Sequence, residues 1–215
     1  MTIRHTATVA SIAAAVAAAS AGAAVVPITS NSALSTEGLG AFTGTLSYTF
    51  LGGTAGQLAV TLTNTTPVAT GGYLTAFMFR PPPELGTFVS ALTASTFAGM
   101  TNIPAGANGA PFPGPWIGGA GTGGSWLSGG APGGGIGVGQ TGSFSFTITG
   151  ANASMLSSDS FVSGSAVSDA YAFVVRFRGM AQGGSDKVPA NQLPAPGAIA
   201  LLGLTGAVSR RRRRG

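Results

Sequence analysis

From Phe42 to Phe50 the chain alternates. Phe42, Gly44, Leu46, Tyr48 and Phe50 fall on one side, and Thr43, Thr45, Ser47 and Thr49 on the other. A period of two puts one face of a strand in a core and the other in water. Gly52 and Gly53 end the run. Leu58, Val60 and Leu62 then alternate with Gln57, Ala59, Thr61 and Thr63 before the turn sequence Asn64, Thr65, Thr66, Pro67, so the two runs predict an antiparallel hairpin. Tyr73 to Arg80 is apolar on both faces, Leu74, Ala76 and Met78 against Tyr73, Phe77 and Phe79, which predicts a central strand covered on two sides. Pro81, Pro82 and Pro83 stop it.

Three further runs read as strands: Phe88 to Phe97, Gly142 to Thr149 with Phe144, Phe146 and Ile148 inward, and Ala170 to Arg178 with Tyr171, Phe173, Val175 and Phe177 inward. Arg176 and Arg178 then fall on the outer face, toward solvent or a carboxylate, and Arg80 reads the same way. Only Ala151 to Ser158 has a helical look, with Asn152 as its cap, and it is too short for a βαβ crossover. Six strands without long helices predict an all-β fold, an antiparallel, jelly-roll-like β-sandwich. Between its strands Asn108 to Gly139 holds fourteen Gly, two Trp and four Pro with neither period, and predicts a long Gly-rich surface loop.

The two ends follow other rules. Arg4 precedes an uncharged, small-residue stretch from Ala7 to Ala24, the layout of a secretory signal peptide whose helix ends before Pro27. Ala21 and Ala23 are the small residues a signal peptidase reads, which places cleavage after Ala23 or Ala24. At the other end Pro194, Ala195, Pro196 and Gly197 lead into an apolar segment through Ser209, and Arg210, Arg211, Arg212, Arg213 and Arg214 follow it. A helix from Gly197 to Ser209 is about 20 Å long, short of the roughly 30 Å hydrocarbon layer unless arginine side chains snorkel. Cations behind an apolar segment stay cytoplasmic, so the arginine run acts as a positive stop.

This tail resembles the PEP-CTERM sorting domain of bacterial exosortase substrates: a Pro-rich motif, a short apolar helix and a terminal arginine cluster, over Val188 to Gly215. The family motif is Pro-Glu-Pro, and Ala195 stands where its acidic residue does. Leu193 to Gly197 is also similar to the sortase signal Leu-Pro-x-Thr-Gly, with Pro196 in place of the threonine whose carbonyl is attacked. The exosortase resemblance implies processing by an exosortase-like membrane protease or transpeptidase, a Gram-negative-type envelope, and a link to exopolysaccharide or biofilm matrix. The chain divides accordingly into a signal peptide (1–24), a β-sandwich domain (25–187) and a sorting signal (188–215). The protein is expected to meet the secretion translocon and signal peptidase, to be held transiently in the inner membrane by its C-terminal helix, and then to reach the cell surface or the extracellular space.

Composition narrows the chemistry. The formal charge of +5 is carried by the ends; without Arg4 and the five terminal arginines, four cations face five acids. No basic face is left for nucleic acid. There is no Cys, and the single His is His5 inside the signal, so thiol nucleophiles, Ser-His pairs and imidazole metal ligands are excluded from the domain. Glu37, Glu84, Asp159, Asp169 and Asp186 show neither the spacing of a calcium loop nor a paired arrangement, and read as turn or surface groups. The Gly-rich stretch lacks the Gly-Lys-Ser/Thr of a phosphate loop. No catalytic residue, metal or cofactor is expected, and the reading is of a structural or adhesive surface protein that is not an enzyme. A carbohydrate-binding module is the alternative, with Trp116 and Trp126, beside Phe112, either stacking on sugar rings or plugging the loop onto the sheet. Asn64 and Asn152 head N-glycosylation sequons but read as turn and cap in a bacterial chain.

Overall fold

The computed structural model describes residues 23–127, 129–162 and 171–193. Ten strands form one antiparallel sheet: β1 (Val25–Ser30), β2 (Phe42–Gly52), β3 (Ala55–Asn64), β4 (Gly71–Phe79), β5 (Val89–Ser95), β6 (Met100–Ile103), β7 (Gly118–Thr122), β8 (Thr141–Thr149), β9 (Phe173–Met180) and β10 (Ser185–Gln192). Their order is β5-β8-β3-β2-β1-β10-β9-β4-β7-β6. The sheet curls until its two edges nearly meet. Ser90 N–H and Oγ–H donate to Ile117 O at 3.2 and 3.0 Å, and Leu92 N–H donates to the Asn102 side-chain oxygen at 2.9 Å. Near-closure leaves little unpaired edge, the part of a sheet most prone to bind another chain. Among the described residues no helix is long and apolar enough to cross a membrane.

The period-two runs become strands because their apolar side fills the space between the two halves. β3 and β8 alternate buried residues with half-buried or exposed ones throughout, and β2 and β3 pair from Phe42↔Asn64 to Gly52↔Ala55, the expected hairpin. Aromatic rings meet across the core, with Phe77 edge-on to Phe144 at 4.8 Å and Phe79 edge-on to Phe146 at 4.9 Å between centroids. β4 is buried on both faces from Leu74 onward, as its sequence predicts, but with a different division. A bulge between Leu74 and Ala76 shifts the register, so that Leu74, Phe77 and Phe79 share the main core while Ala76 and Met78 face outward.

Four expectations about the elements need correction. The stretch Asn108 to Gly139 is no plain surface loop: it contains β7, every residue of which is buried, paired with β4 and β6. Tyr171 precedes β9 and packs with Phe112 outside the main core. In place of a helix at Ala151 to Ser158 there are 3-10 turns at Ala153–Met155 and Ser158–Phe161; Asn152 stands at the N-cap of the first, but its side chain makes no capping bond and donates instead to Leu85 O at 2.8 Å. β10 crosses the expected domain boundary at 187 and runs to Gln192.

β1 and β10 join the halves, and they are antiparallel, Ile28 opposite Gln192. The first residues of the domain and its last therefore lie at one end of the sheet, the tether pole. The β2–β3 turn and the segments 80–88, 104–117 and 150–162 lie there too, because each links strand ends on that side. The opposite, distal pole holds the segments 31–41, 65–70, 123–140 and 181–184.

At the distal pole the seam is locked by Asp186, which is not the surface group its sequence context suggests. It is fully buried. Its carboxylate accepts Ser35 Oγ–H (2.6 Å), Thr36 Oγ1–H (3.0 Å) and the backbone N–H groups of Glu37 (3.0 Å), Leu39 (2.7 Å) and Gly40 (2.7 Å). Burial pushes this carboxyl upward, but the hydrogen bonds from Ser35, Gly40, Glu37 and Leu39 outweigh it and hold the group below its ordinary value. A depressed carboxyl contributes stability above its unfolded value and loses it as pH falls through the folded one. Thermal unfolding of the full chain in mild detergent is therefore expected to be flat above pH about 5 and to weaken below the ordinary carboxyl value of 3.8. Asp186→Ala is expected to cost about 3–5 kcal/mol at pH 7, by stranding five donors, and to flatten the acid limb of the profile. An unchanged acid limb in that variant would remove Asp186 from the account.

Candidate functional site

Ala21, the sorting motif Pro194 to Gly197, the stop Arg210 to Arg214 and Asp169 lie outside the described residues, as do the expected signal and tail helices. Ala23 opens the described domain, and the carbonyl of Ala24 already accepts a hydrogen bond from Ser158 Oγ, which itself accepts Tyr48 N–H at 2.8 Å. The domain thus grips the chain from Ala24 onward.

Trp116 and Trp126 are each only 2% exposed, so neither ring offers a free face to a sugar. With Phe112, Ala76, Met78, Ile103 and Val174 they make a second, smaller core on the outside of β4 and β9. Trp126 Nε1–H donates to Ala110 O at 3.0 Å. A Cβ on Gly109 would sit 2.0 Å from Trp116 Nε1, so a glycine there lets the backbone close on the indole. The plug reading of these aromatics is the one the packing supports.

The arginines on the outer strand face do not point to solvent. Arg176 is buried and donates through Nη1 to the carbonyls of Trp126 and of Leu127, the latter at 2.6 Å; Arg178 Nη1 donates to Gly129 O and Gly130 O, both at 2.9 Å. Burial, and then the neighbouring Arg178 charge, lower the affinity of Arg176 for its proton. Arg80 is also buried, 5.6 Å above the Trp116 ring in a cation–π contact. The three cations hold the Gly-rich segment down over the sheet, a role that its lack of periodicity concealed.

Acid–base machinery is sparse. Asp186 is saturated by donors, and Asp159 accepts Gln192 Nε2–H at 2.6 Å. Among the described residues no three His, Cys, Asp or Glu side chains gather as a metal site would need. Asn64, head of the first sequon, is buried, its Nδ2–H groups donating to Ile136 O and Gly72 O.

Besides a smaller depression of 250 Å³ beside Trp126 and Leu127, the described residues form two larger ones, one at each pole. At the tether pole a cleft of 360 Å³ is lined by Pro81, Pro83, Phe88, Val89, Pro115 and Trp116, without an acid or a base. At the distal pole a groove of 460 Å³ runs between Tyr73, Val138, Gln140 and the glycines at 71, 137 and 179. Tyr73 is half-exposed there. Gly137 and Gly179 flank opposite edges of its ring, where a Cβ would lie at an ordinary contact distance of 3.6 Å. Gln140 accepts Gly137 N–H at 2.9 Å through Oε1, which leaves its Nε2–H groups and the Tyr73 hydroxyl without a hydrogen-bond partner among the described residues. In sequence Tyr73 reads as part of a strand covered on two sides; in the structure it is half-exposed, beside glycines more than 60 positions away. No protein family, curated protein or solved structure matches the chain.

Trp126→Ala is expected to lower stability by about 3–5 kcal/mol in urea unfolding, since it empties the second core and releases the loop. A loss under about 1 kcal/mol would show that the ring is peripheral.

Proposed function

We propose that this chain is an exported bacterial cell-surface or matrix protein with a structural or adhesive, non-catalytic role, released by signal peptidase and sorted by an exosortase-like system. The observation that carries the reading is the order of the terminal signals, small residues at Ala21 and Ala23 on one side and Pro194-Ala195-Pro196-Gly197, an apolar run and five arginines on the other. The domain fits between them. β1 begins at Val25, and Leu193, one residue before the motif, donates its N–H to Pro27 O at 2.9 Å, so both processing points flank neighbouring strands. The grip of Ser158 on the Ala24 carbonyl favours cleavage after Ala23, because cleavage after Ala24 would carry that acceptor away with the signal. The strand order supports the jelly-roll-like reading: β3-β8-β5 lie in one half and β9-β4-β7 in the other, and the β3–β4, β4–β5, β7–β8 and β8–β9 connections all pass between halves.

A second reading, glycan binding, is favoured by the Tyr73 groove rather than by the tryptophans. An exposed ring bordered by glycines, with a hydroxyl and an amide free and no charged lining residue, suits a neutral polysaccharide.

Intact-mass spectrometry of protein from the native host, membrane and released fractions separately, is expected to give a species starting at Ala24 and, in the released fraction, one lacking Arg210 to Arg214. Retention of Met1 and the arginines in both fractions would end the export and sorting reading. In affinity gels containing a neutral β-glucan or mannan, Tyr73→Ala is expected to weaken retardation of the full chain by about tenfold in affinity, the size of one lost stacking contact. Retardation that survives the substitution would exclude the groove.

A further inference from the structure

We propose that the tether pole is a membrane-contacting surface, with the tip of the β2–β3 hairpin, Phe50 and Leu51, seated in the bilayer interface while the tail is in place. The proposal rests on the tail reading above for its bilayer, and on the geometry of the domain for everything else.

Exposed large hydrophobics occur at both poles, Leu34, Leu39, Val68, Tyr73 and Leu127 at the distal one, and what sets this pole apart is that two of its own, Phe50 and Leu51, are adjacent at the tip of an uncharged hairpin. Of eleven large hydrophobics exposed among the described residues, Val25, Phe50, Leu51, Val89, Met155 and Leu193 belong to the tether pole. Leu51 and Met155 are 61% and 62% exposed, which is high for side chains of their size in a domain whose core holds ten of its aromatic rings tightly packed. The sheet register places them together: Val89 pairs with Thr149, Thr149 with Ala55, and Ala55 with Gly52, while Tyr48 Oη–H donates to Ala153 O, two residues before Met155. The hairpin tip from Phe50 to Thr54 carries no charge. The acids of this pole, Glu84 and Asp159, sit in the neighbouring segments and not on the tip.

Chain length then brings the surface to the bilayer. From Leu193 to Gly197, where the apolar segment begins, there are four backbone steps, at most about 14 Å fully extended. Leu193 lies level with Pro27, and Pro27 pairs with Thr45, so Leu51 stands six residues further out along β2. At about 3.3 Å per residue that is about 20 Å, or about 15 Å after a strand tilt of about 40°. The tip therefore reaches as far as the fully stretched linker allows, and any slack in the linker presses it into the headgroup layer. The short apolar segment strengthens this: a helix of about 20 Å in a layer of about 30 Å draws its outer end below the surface. Phe and Leu at an uncharged tip are residues that bury at such an interface. After sorting removes the tail, the constraint disappears and the same tip faces water.

The chain has no Cys, so single-cysteine variants report unambiguously. Full-length L51C, V68C (distal pole, 85% exposed) and L204C (mid-tail) would each be labelled with an environment-sensitive nitrobenzoxadiazole dye and reconstituted in phosphatidylethanolamine–phosphatidylglycerol vesicles containing brominated lipid. The expected result is blue-shifted emission and at least threefold stronger quenching at position 51 than at position 68, with position 204 quenched most. Position 51 as unquenched as position 68, with position 204 quenched, overturns the contact and leaves the anchoring reading intact. Neither 51 nor 204 quenched overturns both.

Discussion

A buried carboxylate with no cation beside it has to be surrounded by donors, and around Asp186 that requirement organises the join of the molecule. The β1–β10 pair is where the two halves of the sheet meet, and Asp186 opens β10 while its donors come from the segment that leaves β1. Two hydroxyls and three N–H groups turn inward onto one charge, each bond of the stronger, charge-assisted kind. The segment is pressed close enough that a Cβ on Gly40 would lie 2.3 Å from the Phe177 ring. One side chain thus fixes the route from β1 to β2 and, through Phe177, the end of the main core.

The same economy operates on the outer face. β4 and β9 are buried on both sides because Asn108 to Gly139 folds back over them, and what holds that segment is not a run of side chains but its own carbonyls, taken by Arg176 and Arg178. A glycine-rich chain offers little apolar surface to bury; it offers backbone acceptors and close approach. Gly119 shows the second property, since a Cβ there would sit 2.0 Å from Phe77 O, closing off the sheet at β7. Two tryptophans supply the apolar content the glycines lack, and are buried for that reason.

Polarity along the strand axis connects this architecture to the proposed role. β1 begins and β10 ends at one pole, beside the apolar β2–β3 tip, while the Tyr73 groove and the Asp186 lock lie at the other. A domain anchored at the first pole presents the second to its surroundings, an arrangement suited to a surface or matrix protein.

By itself the sequence determined the elements whose side chains repeat with period two. β2, β3 and β8 were legible because one face of each is more buried than the other, and most of β9 because of its alternating Phe173, Val175 and Phe177, and the antiparallel all-β class followed from them. The proposed terminal signals also rest on sequence alone, since signals of that kind are read in linear order and need no fold. The rest was decided by tertiary structure. β7 is all Gly, Ala and Thr, so its burial comes from neighbours and not from its own pattern. The bulge in β4 reversed an assignment of faces that periodicity alone had to get wrong beyond Leu74. Asp186, Arg176 and Tyr73 look alike in sequence, polar or amphipathic residues next to Gly or Ser, or between hydrophobics, yet one is enclosed by donors, one is covered by a loop and one is left open. Burial of a polar group depends on which distant backbone reaches it, and that information is carried by topology, not by the residue's immediate neighbours.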